Sequence, residues 1–271
     1  MLLNYKKGSI FSRRAAEEKT TEPATTEGLL AVWGSPGSGK TTVAVKLAKH
    51  IADQKKNVVL ILCDMVAPML PCILPASELE CERSLGTILG STHVTDTILK
   101  SNLMTLKKNR FLTVLGMLKG ENEYTYPPYI ETQAKELLGE LRKLAPFVVI
   151  DCGSHIATDI LSAVALMEAD SVLRLASCEL KSVSYFSSQL QLLKDHKWEA
   201  DRQYKIASNV KAHEAGDQLA ATLGNTAFQL PHSQELESQY LAGNLLADLS
   251  LKDSREFRRE IARISKEVFG I

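Results

Sequence analysis

One short stretch constrains the fold of this chain more than any other, the segment VWGSPGSGKTTV at residues 32–43. Within it, Gly34, Gly39, Lys40 and Thr41 follow the spacing Gly, four residues, Gly-Lys-Thr, which is typical of a loop that binds phosphate groups. A β-branched and apolar run precedes the loop, and a segment with apolar residues at helical spacing follows it. The stretch therefore predicts a buried strand, a phosphate loop and a helix, in that order.

The residue types of this loop suit a nucleoside triphosphate bound with Mg²⁺. Glycines allow backbone N–H groups to point at the phosphates, and the N-terminus of the following helix adds partial positive charge. We expect Lys40 to reach the β- and γ-phosphate oxygens and the Thr41 hydroxyl to bind Mg²⁺. The residues predicted to contact the nucleotide are Gly34, Ser35, Pro36, Gly37, Ser38, Gly39, Lys40, Thr41 and Thr42.

Beyond the loop, short β-branched runs alternate with longer helical patterns. That alternation is typical of a mostly parallel sheet covered by helices on both faces, so the predicted fold class is α/β. Strands are predicted at 29–33, 57–63, 110–116, 147–152, 171–177, 204–209 and 225–230. Helices are predicted at 41–54, 131–144, 158–168, 181–195 and 214–223.

Composition sets the domain organisation and excludes some classes of function. The 32 basic and 32 acidic side chains cancel, so overall charge does not indicate nucleic-acid binding. Residues 1–27 are polar or basic with little to bury and predict a flexible N-terminal tail, which leaves residues 28–271 as one domain. No run of about 18 apolar residues is present, and the cysteines lack Cys-x-x-Cys spacing, so we expect a cytoplasmic location.

Two aspartates follow strands that are predicted to be buried. Asp64 comes directly after VVLILC, and Asp151 ends FVVID. A carboxylate in such a place is costly unless a cation or hydrogen bonds compensate it, and carboxylates at the carboxyl ends of strands suit Mg²⁺. We therefore expect Thr41, Asp64 and Asp151 at the metal and Lys40, Asp64 and Asp151 in catalysis. The proline-containing loop at 119–132 lies between a strand and a helix, where ligand-facing loops occur.

In the order of its motifs, the chain resembles the MinD/ParA family of ATPases. The phosphate loop, VVLILCDMVAPML, FVVIDCGS, IASNVK and LPHSQELESQYLAG follow one another as in that family. The resemblance implies a P-loop ATPase domain over residues 28–271, with ATP and Mg²⁺ as ligands. It also implies that Asp64 positions the attacking water, that Gly153 donates its N–H to the γ-phosphate, and that Asn209 and the backbone at Pro231 bind the adenine.

The chain departs from that family at two positions. Most members carry a lysine directly after the first glycine of the loop, which reaches the nucleotide of the other subunit, and here that position is Ser35. The first acidic residue of the switch that contains Asp64 is also missing, since Leu62 stands there. Because a positive charge at the γ-phosphate is worth orders of magnitude in rate, slow hydrolysis is expected unless an arginine substitutes. Arg174 is one candidate, although the favoured interpretation is a strand-edge arginine whose side chain extends to solvent.

The resemblance implies a nucleotide-dependent homodimer that positions a cellular assembly through protein partners, such as pilus, secretion, partition or division machinery. The irregular loop and the altered first switch resemble the TadZ/CpaE-type localisers of pilus assembly more than they resemble plasmid-partition ATPases. A catalytically silent nucleotide-binding scaffold and a small-molecule phosphotransferase remain as alternatives. Two basic amphipathic segments, at 1–14 and 255–271, are candidates for peripheral membrane contact, although packing on the sheet is the favoured interpretation of the second.

Overall fold

The computed structural model describes residues 27–75, 82–189, 191–192, 203–211 and 223–271. Eight strands form one sheet in the order β3-β4-β2-β5-β1-β6-β7-β8, and every neighbouring pair is parallel except β3 and β4. The strands are β1 Gly28–Gly34, β2 Val58–Leu62, β3 Met104–Thr105, β4 Leu112–Leu115, β5 Phe147–Asp151, β6 Ser171–Ala176, β7 Gln203–Val210 and β8 Phe228–Pro231.

Helices cover both faces of this sheet. They are α1 Lys40–Asp53, α2 Leu70–Ile73, α3 Leu85–Leu89, α4 Asp96–Asn102, α5 Glu131–Leu144, α6 Ile160–Glu168, α7 Leu180–Gln189, α8 Gln234–Leu241 and α9 Arg255–Phe269. One apolar core contains buried side chains of α3 to α7, and the other contains those of α1, α2, α8 and α9. The predicted α/β class, with a mostly parallel sheet between two layers of helices, is confirmed.

All seven predicted strands are present, and the two-residue β3, which pairs antiparallel with β4, was not predicted. The predicted helix at 158–168 begins instead at Ile160, because Asp159 caps it by accepting a hydrogen bond from Ser162 N at 3.0 Å. The short helices α2, α3, α4 and α8 were not predicted. The tail at 1–26, most of the helix predicted at 214–223, and the end of the helix predicted at 181–195 lie outside the described residues.

The C-terminal helix α9 packs its apolar stripe inside the protein. Phe257, Ile261, Ile264 and Val268 are all buried among the side chains of α1, β8 and their neighbours. The basic side chains lie on the opposite face, so the stripe is not available to a membrane surface, as the favoured interpretation predicts. Within the described part of the chain, no helix combines the length and apolar character that a bilayer-spanning segment needs.

Candidate functional site

The carboxyl ends of the parallel strands meet at one edge of the sheet, which is where ligands bind in open α/β folds. A cavity of about 1100 Å³ lies at this edge. It runs from the loop after β4 to the ends of β7 and β8, and the loop after β1 forms part of its floor. The predicted site residues that line it are Pro36, Gly37, Gly39, Lys40, Thr41, Thr42, Asp64, Gly153, Asn209 and Pro231.

Glycines of the phosphate loop serve two different purposes. Gly37 and Gly39 have left-handed backbone conformations, with φ of 76° and 82°, and both line the cavity. Gly34 instead lies against β6, where a Cβ atom would approach the Leu175 carbonyl oxygen to 2.1 Å. Only glycine therefore fits at position 34, because the loop must leave the sheet in close contact with the neighbouring strand.

Ser35 faces the interior rather than the cavity. Its side chain is fully buried, and its Oγ lies 2.7 Å from the Ser182 Oγ at the start of α7. The Ser35 carbonyl accepts hydrogen bonds from both the N–H and the O–H of Ser38, which is buried as well. Ser35 and Ser38 therefore hold the loop in shape, and neither side chain lines the space that a nucleotide would fill.

Lys40 is the first residue of α1, and its ammonium group lies inside the cavity. The Nζ atom donates hydrogen bonds to Ser154 Oγ at 2.7 Å and to the Ser35 carbonyl at 3.4 Å. Burial lowers the pKa of Lys40, and the negative charges of Asp151 and Asp64 partly offset this effect. A phosphate group would have to replace Ser154 as the partner of this ammonium.

Thr41 and Asp151 form the strongest indication of a metal site. The Thr41 hydroxyl donates a hydrogen bond of 2.5 Å to Asp151 Oδ2, while the buried Oδ1 of Asp151 has no hydrogen-bond partner. Burial raises the pKa of Asp151 to about 7, against the opposing effects of Thr41 and Lys40. Because the Thr41 hydroxyl donates its hydrogen bond to Asp151, the lone pairs of its oxygen remain for a cation, so these residues fit Mg²⁺.

Asp64 lies in the same cavity but is engaged with its own loop. Its Oδ1 accepts the backbone N–H groups of Val66 at 3.0 Å and Ala67 at 2.8 Å, which stabilises the turn after β2. Its charge acts on both Lys40 and Asp151. Among the described residues no group of three or more His, Cys, Asp or Glu side chains is placed to hold a metal, so a role for Asp64 at Mg²⁺ stays a prediction.

Gly153, whose N–H the resemblance predicts to bind the γ-phosphate, has a protein partner in this structure, and its role at the phosphate stays a prediction. Its N–H donates a hydrogen bond of 2.8 Å to Ser162 Oγ and is therefore already paired. For this N–H to donate to a γ-phosphate instead, the loop between β5 and α6 has to change conformation. No feature of the sequence indicated Ser162 as the partner of this N–H.

Asn209 and Pro231 lie at the far end of the cavity, where Asn209 is the second-last residue of β7 and Pro231 is the last residue of β8. Asn209 adopts a left-handed conformation with φ of 57°, and its Oδ1 lies 2.8 Å from His232 Nδ1. Asn209 and Pro231 both line the cavity, and β7 and β8 pair next to them, with Val210 opposite Pro231. Recognition of adenine by Asn209 and Pro231 stays a prediction.

Comparison with known proteins agrees with this geometry. A family model described as AAA domain matches residues 34–206, which is more than half of the chain. The chain belongs to this AAA domain family. No curated protein sequence matches it.

Three solved structures show the same fold as this AAA domain protein at low sequence identity. The ParA family ATPase from Chlorobium tepidum TLS has a TM-score of 0.71 and 13% identity, with 88% of this chain and 98% of that chain covered. The MinD protein complexed with Mg-ADP from Pyrococcus horikoshii OT3 has a TM-score of 0.64, 14% identity and coverage of 89% and 95%. The MinC:MinD cell division protein complex of Aquifex aeolicus has a TM-score of 0.67, 15% identity and coverage of 90% and 96%. These likenesses confirm the fold that the resemblance to the MinD/ParA family implies.

In this AAA domain protein, Arg174 is not placed to replace the missing lysine. It lies on the interior strand β6, donates to Gln203 and sits with its guanidinium carbon 5.8 Å from the centre of the Trp33 ring. Burial lowers the pKa of Arg174 to about 10. Trp33 belongs to the core on the face opposite α1, so Arg174 is neither a catalytic candidate nor a strand-edge residue that extends to solvent.

The loop at 119–132 forms a wall of the cavity, as its position between strand and helix predicts. Tyr124, Tyr126 and Tyr129 all line the cavity. Glu121 fixes the loop, because its carboxylate accepts hydrogen bonds from the hydroxyls of Ser84 at 2.6 Å and Tyr126 at 2.5 Å. No motif indicated this network, since its members are up to 42 residues apart in the chain.

Proposed function

We propose that this protein binds ATP with Mg²⁺ in the cavity at the phosphate loop and acts as a nucleotide-dependent, dimerising switch of the MinD/ParA type. The observation that carries the proposal is the convergence of Lys40, Thr41 and Asp151 at one point, with a buried carboxylate oxygen that lacks a partner. As a switch, the protein positions a cellular assembly through partner proteins and hydrolyses ATP slowly.

Each side chain has a defined task in this proposal. The Lys40 ammonium leaves Ser154 and neutralises charge on the β- and γ-phosphates, while Thr41 and Asp151 hold the metal. Mg²⁺, when bound, supplies further neutralisation of the phosphate oxygens. Asp64 orients the water that attacks the γ-phosphate, and Asn209 with Pro231 binds the base.

The similar structures support the ligand and the class of partner. The Pyrococcus horikoshii MinD was solved with Mg-ADP, and the Aquifex aeolicus MinD was solved in complex with MinC. We extend both features to this chain, so that nucleotide state controls binding of a second protein. Assignment to pilus assembly of the TadZ/CpaE type stays a prediction from the sequence.

A catalytically silent scaffold is the second candidate, and the placement of Ser35 favours it. The side chain at this position is buried against α7, so no residue at position 35 reaches across a dimer to the other nucleotide without rearrangement of the loop. Nucleotide binding without turnover is the outcome that this arrangement supports.

Binding, turnover and oligomeric state measured on the same samples test the proposal. Lys40→Ala is expected to lower the affinity for Mg-ATP by about 10- to 100-fold, the effect of losing one charge-assisted contact. Asp64→Ala is expected to keep binding but to lower turnover by about 100-fold or more. Lys266→Ala, on the exposed face of α9, is the matched control. No ATP binding by the wild type would overturn the proposal, and tight binding without turnover in any variant would favour the scaffold.

A further inference from the structure

Ser162 and Asp159 hold the backbone of Gly153 in a defined place. The Gly153 N–H donates to Ser162 Oγ at 2.8 Å, and the same hydroxyl donates to Asp159 Oδ2 at 2.5 Å. Gly153 and Ser162 are buried, so water does not compete for these bonds. We call these three residues the glycine latch.

Ser154, the residue after Gly153, is also held by hydrogen bonds. Ser154 Oγ accepts the Lys40 ammonium at 2.7 Å and donates to the Gly34 carbonyl at 3.2 Å, while the Ser154 carbonyl accepts the Tyr185 hydroxyl. Lys40, the lysine predicted to bind the phosphates, therefore links the loop after β5 to the phosphate loop. Both the N–H of Gly153 and the ammonium of Lys40 are occupied by protein groups in this arrangement.

The latch also places a carboxylate beside Gly153. A Cβ atom built on Gly153 would lie 2.4 Å from Asp159 Oδ2, so the carboxylate packs directly against the glycine. A γ-phosphate at the Gly153 N–H would meet this negative charge at close range and be repelled. The latched arrangement disfavours ATP but leaves ADP unaffected, because ADP has no γ-phosphate.

We propose that the glycine latch sets the discrimination between ATP and ADP, with Ser162 and Asp159 as its positioning residues. The inference rests on the proposed function, since it concerns the nucleotide bound at the same site. ATP selects the unlatched conformation, and the energy of breaking the latch reduces its apparent affinity. ADP binds with the latch closed or open.

Capping of α6 does not by itself explain the latch. The cap needs only the bond from Ser162 N to Asp159 Oδ1 at 3.0 Å, and that bond uses the backbone of Ser162. The Ser162 hydroxyl takes no part in this cap and bonds instead to Gly153 and Asp159 Oδ2. Ser162→Ala therefore removes the latch and keeps the cap, which separates the two roles.

The test measures the affinities of Mg-AMPPNP and Mg-ADP for wild type, Ser162→Ala and the control Ser188→Ala. The control removes a hydroxyl that donates to a helix carbonyl on the exposed face of α7, outside the cavity. Ser162→Ala is expected to bind AMPPNP about fivefold more tightly, the effect of one ordinary hydrogen bond, with ADP affinity unchanged. If Ser162 had a merely structural role, Ser162→Ala would weaken the binding of both nucleotides equally. An unchanged ratio of AMPPNP affinity to ADP affinity would overturn the proposal.

Hydrogen exchange at the Gly153 amide gives a second readout that does not depend on affinity. Without nucleotide, the amide is expected to be protected in the wild type and to exchange faster in Ser162→Ala, while Asp159→Asn keeps a capping oxygen and shows an intermediate rate. Equal exchange in wild type and Ser162→Ala would refute the latch even if ATP binds. If the wild type binds neither nucleotide, both the proposed function and this inference are overturned. If it binds both, but Ser162→Ala leaves the ratio of AMPPNP to ADP affinity unchanged, only the role of the glycine latch is refuted.

Discussion

Lys46 gives the sharpest prediction that this structure makes about stability. It lies on α1, is only 5% exposed, and donates from Nζ to Gln239 Oε1 at 2.6 Å and to the Ala247 carbonyl at 2.7 Å. The two acceptors are neutral, and the structure shows no ion pair for Lys46 among the described residues. Burial lowers the pKa of Lys46 to about 8.

The sign of the effect follows from proton linkage. Between the folded pKa of about 8 and the ordinary lysine value of 10.5, the unfolded chain binds more protons than the folded one, so this residue makes stability rise with pH. The full shift corresponds to about 3 kcal/mol of unfolding free energy at 1.4 kcal/mol per pKa unit. Roughly 2 kcal/mol of it falls between about pH 7.5 and pH 10.

Urea unfolding of wild type and Lys46→Met at these two pH values measures the prediction. The difference in unfolding free energy, wild type minus variant, is expected to become more favourable to the wild type by about 2 kcal/mol on going to the higher pH. Lys266→Met, at an exposed position on α9, should show no such change. A difference that is independent of pH would refute the assignment of a buried, charged Lys46.

Four further substitutions test the packing of the helices and loops. Gly139→Ala, in the middle of α5 with open space around it, is expected to raise stability by about 0.5–1 kcal/mol. In Gly86→Ala the added Cβ atom would lie 2.1 Å from the Tyr126 ring, so this variant should lose about 1–3 kcal/mol. Thermal melts that rank the two variants in reverse order would contradict this prediction. Glu121→Ala leaves the Tyr126 hydroxyl and two other donors without their acceptor and should cost about 2–4 kcal/mol in denaturant unfolding, so a neutral result would argue against the anchored loop. Ser35→Lys places a long cation in a buried position and should lower stability by about 3 kcal/mol or more without raising ATP turnover, and a stable, faster variant would be inconsistent with the burial seen here.

Much of the fold could be predicted because the strands are long and apolar. The run FVVID is buried on every residue in β5, and the strand before the phosphate loop is nearly so, which is why each appeared as a continuous apolar run. The two-residue β3 and the four-residue helix α2 could not be found in this way, since they are too short for either pattern to repeat. Tertiary contacts rather than local sequence stabilise such elements.

In the candidate site, too, some residues could be predicted from the sequence and others could not. Lys40, Thr41 and Asp151 were predicted from spacing and strand ends, and the structure brings them together. Ser162 could not be predicted as a partner of Gly153, because nothing in a serine of an apolar helix indicates that its hydroxyl turns back to the preceding loop. The inward orientation of Ser35 was equally hidden, since spacing identifies the position of a residue but not the direction of its side chain.

Charge balance at the cavity explains why the metal is central to the proposal. Among the described residues that line the cavity, Lys40 is the one lysine or arginine, whereas Asp64, Glu123, Asp159 and Glu237 all contribute carboxylates. A triphosphate entering alone would meet more negative than positive charge, and its phosphate groups would be repelled. Mg²⁺ reverses this balance where the phosphates lie, so metal and nucleotide are expected to bind as one unit. The missing lysine at position 35 makes this dependence stronger, because no second cation of the loop can take the place of the metal.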